Sequence, residues 1–341
     1  MAAQPTPREI VKGLLQGIAA PRPLFLPIVF SAGSRVADVS LRAFMDNPTK
    51  ISNSLRQIRG HLPSDGLACY FDLYLEAESL GGTLQWGTEE QPPTLHWPPL
   101  TKPGELPPGL RTPEEAAKSS RVAVAVEVIR RLRTLRRDDS LLMAGLTGPY
   151  TLAARITQLE LKDPLRSEDL PERALEIAAA VISQIAAALV EAGANLVFIQ
   201  EKVLPALSAE GCEAWASLLA PAFNIIRFYE ALPVLQLTDT RSFAQNSEVI
   251  FQREWDCVVC PALPEFPSPP SERFSALKAV ALGISLPLEV FQPDRSEGDR
   301  LQQYVHQIIS ELRPAILTTA GDVPPMTDMK RIIEVCDYVR R

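Results

Sequence analysis

Short apolar runs alternate with amphipathic helical patterns along most of the chain, and this alternation restricts the possible fold most strongly. The apolar runs occupy residues 24–29, 67–72, 140–145, 195–199, 233–238, 255–260, 279–286 and 314–319. The helical patterns occupy residues 36–44, 50–59, 113–136, 151–158, 171–191, 209–229, 242–253, 300–312 and 326–339. Eight strands, each followed by helix, favour a closed parallel barrel over an open sheet. The sequence therefore predicts an α/β fold, a single (β/α)8 TIM-type barrel domain over residues 1–341.

Composition and charge narrow the class of protein. The chain has 341 residues, of which 46% are hydrophobic, so it can bury a large core. Its formal net charge of -7 argues against nucleic acid as a partner. The N-terminus lacks the apolar stretch of a signal peptide, and no run of about 18 apolar residues predicts a membrane span. We therefore expect a cytoplasmic protein that binds neither nucleic acid nor membrane.

Prolines mark two long connections. The segment 91–113 contains eight prolines, which cannot pair within a central sheet or continue a helix. We interpret it as a long loop after the second strand. We interpret residues 265–270 as a second proline-rich loop.

Polar residues just past the apolar runs are the candidates for chemistry, because active sites of such barrels lie at the C-terminal ends of the strands. Asp72 is the strongest candidate, since a carboxylate at a strand end must be desolvated or satisfied. It could instead cap the following helix. The other candidates are Ser31, Arg35, Tyr150, Glu201, Lys202, Gln236, Asp239 and Asp322.

Several of these candidates also have a structural interpretation. By spacing alone, Glu76 and Glu78 are ordinary exposed glutamates. Tyr150 follows a Gly-Pro turn whose N–H groups could receive an anion, or it packs at a tight turn. Arg35 and Arg155 could pair with a substrate carboxylate or lie on the surface.

Metal chemistry has little support in the sequence. Cys257 and Cys260 are spaced to point to opposite faces of a strand, which favours core cysteines. The histidines His61, His96 and His306 do not form a cluster by spacing, so we predict no metal site. The mouth of the barrel, at the C-terminal ends of its strands, could bring together three acids as an oxygen-ligand or acid/base cluster: Asp72, Asp239 and Asp322.

Three motifs carry a family resemblance. They are Phe71-Asp72 with Glu78-Ser79-Leu80-Gly81, the turn at residues 148–153, and residues 191–195 before the fourth strand. Together they resemble the uroporphyrinogen decarboxylase superfamily, which also contains corrinoid-dependent methyltransferases. The resemblance implies a barrel enzyme, a possible homodimer and, at Asp72, the carboxylate that contacts the pyrrole nitrogens of a tetrapyrrole. Glu78 would then belong to the site.

The chain departs from both branches of this superfamily. The arginine-rich motif of the decarboxylases is replaced by residues 30–35, with Arg35 shifted by one position. The decarboxylases' tyrosine would fall on Arg155, their serine on Lys202, and their late Gly-His-Gly on residues 320–322. The methyltransferases' zinc-binding His-x-Cys is replaced by residues 236–239.

Three functions therefore stay open. The first is a decarboxylase-like lyase that acts on a carboxylated tetrapyrrole or related ring, with Asp72 catalytic and no cofactor. Its substrate-binding residues would be Arg35, Glu78, Tyr150, Arg155, Glu201, Gln236, Asp239 and Asp322. The second is a methyltransferase that lacks zinc and uses a corrinoid, carried by a partner protein, as methyl donor or acceptor. The third is a non-catalytic binding barrel.

Overall fold

The strands form a parallel barrel. The computed structural model describes residues 4–87, 93–100, 102, 104–135, 140–160, 162, 165–261, 281–291 and 298–340. In these residues the strands are β1 (Leu24–Leu26), β2 (Gly66–Tyr70), β3 (Thr83–Gln85), β4 (Thr94–His96), β5 (Leu141–Thr147), β6 (Leu196–Glu201), β7 (Leu232–Leu237), β8 (Cys257–Pro261), β9 (Ala281–Leu286) and β10 (Ile316–Thr319). Eight of them form one sheet in the order β1-β10-β9-β8-β7-β6-β5-β2, and every neighbouring pair is parallel. The predicted (β/α)8 barrel is confirmed.

Helices follow the strands as predicted, with two corrections, and the helix before the first strand was not predicted. The helices are α1 (Pro7–Leu15), α2 (Gly33–Val36), α3 (Leu41–Met45), α4 (Pro48–His61), α5 (Leu75–Ser79), α6 (Pro113–Ala116), α7 (Ser120–Leu135), α8 (Pro149–Ile156), α9 (Glu172–Ala192), α10 (Ala209–Phe228), α11 (Thr240–Phe251), α12 (Gly298–Leu312) and α13 (Met329–Arg340). The single helix predicted at 36–44 is wrong, because Ser40 caps a new helix by accepting from the Ala43 N–H. The helix predicted at 113–136 is likewise two helices, α6 and α7.

Asp65 joins the two ends of the sheet. Its backbone N–H donates to the carbonyl oxygen of Phe25 on β1 at 2.9 Å. Its carboxylate accepts from the Phe25 N–H at 2.8 Å and from two nitrogens of Arg22 at 2.8 and 2.9 Å. Because β1 and β2 are the first and last strands of the sheet order, this residue holds the barrel closed.

The second barrel strand and the segment after it have two irregular features. The register between β2 and β5 shifts at Cys69, so β2 carries one residue more than its neighbour before Asp72. After α5 the chain forms the antiparallel hairpin β3–β4, with Thr83 opposite His96. The prediction that 91–113 is loop throughout is therefore wrong at residues 94–96. The loop predicted at 265–270 lies outside the described residues.

Helix α9 is the one helix among the described residues that is long and apolar enough to cross a membrane. Half of its most apolar window is buried within the protein. The helix packs on its neighbours α8 and α10, as an outer barrel helix does. This packing is consistent with a soluble protein.

Candidate functional site

A cavity of about 450 Å³ opens at the C-terminal ends of the barrel strands. This is the face that carries the active site in barrels of this type. Among the described residues its lining is Phe71, Asp72, Leu73, Thr147, Thr151, Arg155, Gln200, Lys202, Thr238, Asp239, Thr240, Pro261, Ser285, Pro287, Leu288, Glu289, Ala320, Gly321 and Asp322. Five of the residues named as site candidates from the sequence therefore meet here: Asp72, Arg155, Lys202, Asp239 and Asp322.

Asp72 is held by a buried arginine. One carboxylate oxygen accepts from the Tyr74 N–H at 3.0 Å, and the other pairs with the guanidinium of Arg121. The side chains of Asp72 and Arg121 are only 3% and 6% exposed. Arg121 also pairs with Glu78 at 2.9 Å. The hydrogen bond to Tyr74 shows that Asp72 caps the turn before α5, and its place in the cavity lining leaves it available to a ligand.

Asp322 has a different environment. Its two carboxylate oxygens accept from the backbone N–H groups of Phe30 and Ser31, at 2.8 and 2.9 Å. Burial outweighs these hydrogen bonds and raises the pKa of Asp322 to about 7. Near neutral pH this carboxyl is therefore present in both its protonated and its ionised form.

Asp239, Arg155 and Lys202 are the other charged residues of the lining that the sequence predicted. Asp239 caps α11, because its carboxylate accepts from the Ser242 N–H at 2.7 Å. Arg155 is 3% exposed and lies over the ring of Tyr74, with its guanidinium 5.1 Å from the ring centroid. It also donates to the Leu73 carbonyl oxygen and pairs with Glu160 at 3.2 Å. Much of its hydrogen-bonding capacity is thus used within the protein.

The structure places Glu201, Tyr150 and Gln236 below the cavity. The Glu201 carboxylate accepts from the N–H groups of Tyr150 and Thr151, the Thr151 hydroxyl and the Trp215 indole, at 2.6–3.0 Å. Burial raises the pKa of Glu201, and these four hydrogen bonds oppose that shift. Glu201 is fully buried and therefore fixes the start of α8. Gln236 bridges the Gln200 side chain and the Thr319 carbonyl oxygen, both at 2.8 Å.

Arg35 and Glu78 lie outside the mouth lining. Arg35 donates to the carbonyl oxygens of Met326 and Thr327, at 3.0 and 3.3 Å. Glu78 faces a second cavity on the other side of Arg121. Six residues that were candidates from the sequence lie outside the mouth lining: Ser31, Arg35, Glu78, Tyr150, Glu201 and Gln236. Of these, Ser31 contacts Asp322 through its backbone N–H.

Sequence reasoning missed two buried charges beside the mouth. The interpretation of Glu76 as an exposed glutamate is wrong, because it is fully buried and accepts from the Thr147 N–H at 2.7 Å. Burial raises the pKa of Glu76 to about 7. Arg121 was not considered, although it is in step with the apolar positions 125, 129 and 132 of α7. That spacing was a usable signal for a buried arginine.

Comparisons with known proteins place the chain in a family. Residues 9–222 match the profile of the family described as uroporphyrinogen decarboxylase (URO-D). The chain belongs to the URO-D family. Two relatives from Methanosarcina barkeri, one of them from strain Fusaro / DSM 804, are both named methylcobamide:CoM methyltransferase MtaA. They are 29% and 28% identical to it over 128 residues. The aligned part is 37% of this chain and 37% of each relative, so it spans little more than a third of their length.

A solved structure supports the fold over nearly the whole chain. A methyltransferase from Methanosarcina mazei superposes with a TM-score of 0.79, covering 98% of both chains at 16% sequence identity. At this identity the match shows the barrel fold. The family match and the two methyltransferase relatives support an enzyme of the URO-D superfamily.

The residues present do not fit a zinc-thiolate site of the kind expected in the methyltransferase branch. The positions of its His-x-Cys are occupied by Gln236 and Thr238, and the Gln236 amide is already hydrogen bonded on both sides. No group of three or more His, Cys, Asp or Glu able to hold a metal occurs in the part of the chain that the structure describes. All five cysteines are free and buried, and burial raises the pKa of the Cys257 and Cys260 thiols.

Proposed function

We propose that this protein transfers a methyl group between a small neutral or cationic substrate, bound in the mouth, and a corrinoid presented by a partner protein. We further propose that it works in the cytoplasm and uses carboxylates in place of zinc. The observation that carries the proposal is the charge of the described cavity lining. That lining contains four acids and two bases: Asp72, Asp239, Asp322, Glu289, Arg155 and Lys202.

This charge distribution disfavours the first of the three functions considered from the sequence. A polycarboxylated tetrapyrrole needs several cations in its site, since each carboxylate that loses water must be compensated. Here the lining has an excess of acids, and Arg155 is largely occupied by Glu160 and the Leu73 carbonyl. A methyl ether or a methylated amine has no such requirement, and an amine cation would gain from the acids.

The size of the cavity also fits a small substrate. About 450 Å³ is in the range of sites for drug-sized ligands, whereas a corrin ring with its side chains is considerably larger. The corrinoid is therefore a second substrate that approaches the open mouth from outside. Leu73 is 53% exposed at the edge of the cavity and offers apolar surface for that approach.

The two mouth carboxylates have distinct roles in this proposal. When the carbon–oxygen bond of a methyl ether breaks, the oxygen keeps the bonding electron pair and must take up a proton. Asp322 can supply that proton, because its pKa of about 7 leaves it partly protonated at neutral pH. Asp72, fixed by Arg121 and the Tyr74 N–H, orients the substrate and balances positive charge. The methyl group passes to the reduced corrinoid, which would supply the electron pair for the new bond to the methyl carbon.

The test is anaerobic demethylation by the purified protein. Reduced cobalamin is mixed with methoxylated aromatic compounds and, separately, with methylated amines, and methylation is followed by the cobalamin absorption spectrum. We expect turnover with at least one class, and Asp322→Asn should slow ether demethylation by about 100-fold or more, the usual contribution of a general acid. Glu191→Gln is the matched control, since Glu191 is exposed just before β6, at the opposite end of the barrel.

The alternatives give different results in the same set of assays. Loss of carboxylates from uroporphyrinogen, abolished by Asp72→Asn, would overturn the proposal in favour of a decarboxylase. Substrate binding without turnover in any assay would favour the non-catalytic barrel. Equal rates for Asp322→Asn and Glu191→Gln on an ether substrate would refute the role of Asp322.

A further inference from the structure

A second cavity lies behind the mouth, on the opposite side of Arg121. Its volume is about 290 Å³, and the hairpin β3–β4 forms one wall. The charged residues in its described lining come from α3, the turn after it, α5, the loop before α6, and α7. They are Arg42, Asp46, Glu78, Arg111 and Arg121, and Ser119 from the loop before α7 lies beside them.

One of these side chains has a donor group that lacks an acceptor. The Oγ of Ser119 is buried and has no hydrogen-bond partner among the described residues. Arg121 is 6% exposed, and its two terminal nitrogens pair with Asp72 and Glu78. Buried donors are almost always satisfied in native proteins. An unsatisfied donor beside three guanidinium groups therefore points to an acceptor that comes from outside the chain.

The charge of the cavity indicates what this acceptor is. Three guanidinium groups and two carboxylates face the described lining, so the excess is positive, in contrast to the acidic mouth. Arginine binds oxyanions through paired N–H donors, and the Ser119 hydroxyl adds a further donor. Arg111 is anchored for this purpose by a 3.1 Å hydrogen bond to the Ser79 carbonyl oxygen.

We propose that this second cavity is a binding site for a small oxyanion, held by Arg42, Arg111, Arg121 and Ser119, and that binding is coupled to protonation of Glu78. The site is independent of the substrate proposed for the mouth.

The coupling follows from the neighbours of Glu78. It faces Asp46 from the end of α3, Arg111 from the loop before α6, and Arg121 from α7. Burial first, and then the Asp46 charge, raise the pKa of Glu78 to about 7. Below that pH Glu78 is neutral and no longer competes with an anion for Arg121. Oxyanion binding should therefore strengthen as the pH falls through 7.

Calorimetric titration with sulfate tests the site, because sulfate keeps both charges between pH 6 and pH 8. Sodium chloride holds the ionic strength constant. We expect wild-type affinity to be about tenfold higher at pH 6 than at pH 8, following the protonated fraction of Glu78. Glu78→Gln should bind equally at both pH values, close to the wild type at pH 6. Arg111→Gln should bind about tenfold more weakly, while Arg130→Gln, an exposed position of α7, should match the wild type.

Circular dichroism and thermal melting of each variant check that it is folded. Acetate, in a parallel titration, separates a phosphate-like preference from a carboxylate preference. Saturable binding that is lost in Arg111→Gln supports the site. An adventitious ion only, meaning weak binding that is equal in Arg111→Gln and Arg130→Gln, would overturn it. So would the absence of any saturable binding in folded wild-type protein at pH 6. Cobalamin assays play no part, so this result is separate from that for the proposed function.

Discussion

Removing the Arg121 side chain while keeping its bulk should destabilise the protein in a strongly pH-dependent way. Arg121→Met retains an unbranched apolar chain of similar length but takes away the cation that faces Asp72 and Glu78. Arg121 is only 6% exposed in both ion pairs, so water cannot easily take the place of its guanidinium beside the two carboxylates. An uncompensated buried carboxylate avoids ionisation by binding a proton.

The free energy needed to protonate Asp72 sets the size of the expected destabilisation. An aspartate has a pKa of about 3.9 in an unfolded chain, and each unit between that value and the ambient pH costs about 1.4 kcal/mol. Protonating Asp72 in the folded variant therefore costs about 4 kcal/mol at pH 7 but only about 1.5 kcal/mol at pH 5. The lower value at pH 5 is the distinctive part of the prediction, because a packing defect would cost the same at both.

Urea denaturation at pH 5, 6 and 7 measures these differences. The double variant Arg121→Met with Asp72→Asn should recover most of the loss at pH 7, since no charge then needs a partner at Asp72. Arg130→Met, at an exposed position of the same helix, serves as the control for a surface change. A loss below about 1 kcal/mol at pH 7, or a loss of equal size at pH 5 and pH 7, would refute the argument.

Three further predictions concern buried groups. The raised pKa of Glu76 means that the folded state binds the proton more tightly, so its contribution is present below about pH 4.5 and is lost by pH 7. Relative to Glu76→Gln, the wild type should therefore lose roughly 3 kcal/mol between those pH values in urea titrations, and parallel curves would contradict this. Gly148→Ala should lower the melting temperature, because its Cβ would lie 2.3 Å from the Glu201 carboxylate carbon. Glu201→Ser removes that carbon, so in the Glu201→Ser background the clash is absent and Gly148→Ala should no longer lower the melting temperature. The cysteines should resist a thiol reagent in the native protein and react fully in urea, and rapid native labelling of Cys257 or Cys260 would show that the barrel opens.

The sequence was sufficient to predict the barrel because each barrel strand is a short, almost wholly apolar run. Strands that are covered on both faces show this pattern, and the observed strand β5 is buried at every position. The hairpin β3–β4 was missed for the complementary reason. Its residues alternate between exposed and partly buried, and prolines surround β4, so neither length nor hydrophobicity distinguishes it from a loop.

For the site, the sequence indicated which residues follow a strand, but it did not indicate which charged side chains are buried. Asp72, Asp239 and Asp322 could be placed at the mouth because each follows a strand, and the C-terminal ends of parallel strands meet at one face. Whether a charged side chain on a helix is buried depends on which face of that helix packs against the barrel. Arg121 and Arg130 belong to the same arginine-rich helix, yet the first is buried and the second is exposed.

The contrast between the two mouth carboxylates bears on how a barrel could transfer methyl groups without a metal. A zinc ion would supply a single strong positive charge, which activates a bound thiol. This chain instead places one carboxylate against a guanidinium and another against backbone amides in a buried setting. Environments that differ in this way let one acid serve as a fixed charge and the other as a proton donor. Such a pair suits a leaving group that needs a proton, and it gives no means of holding a thiolate. The expected substrates are therefore methyl ethers and amines, and demethylation of ethers should weaken as the pH rises above 7, where Asp322 loses its proton.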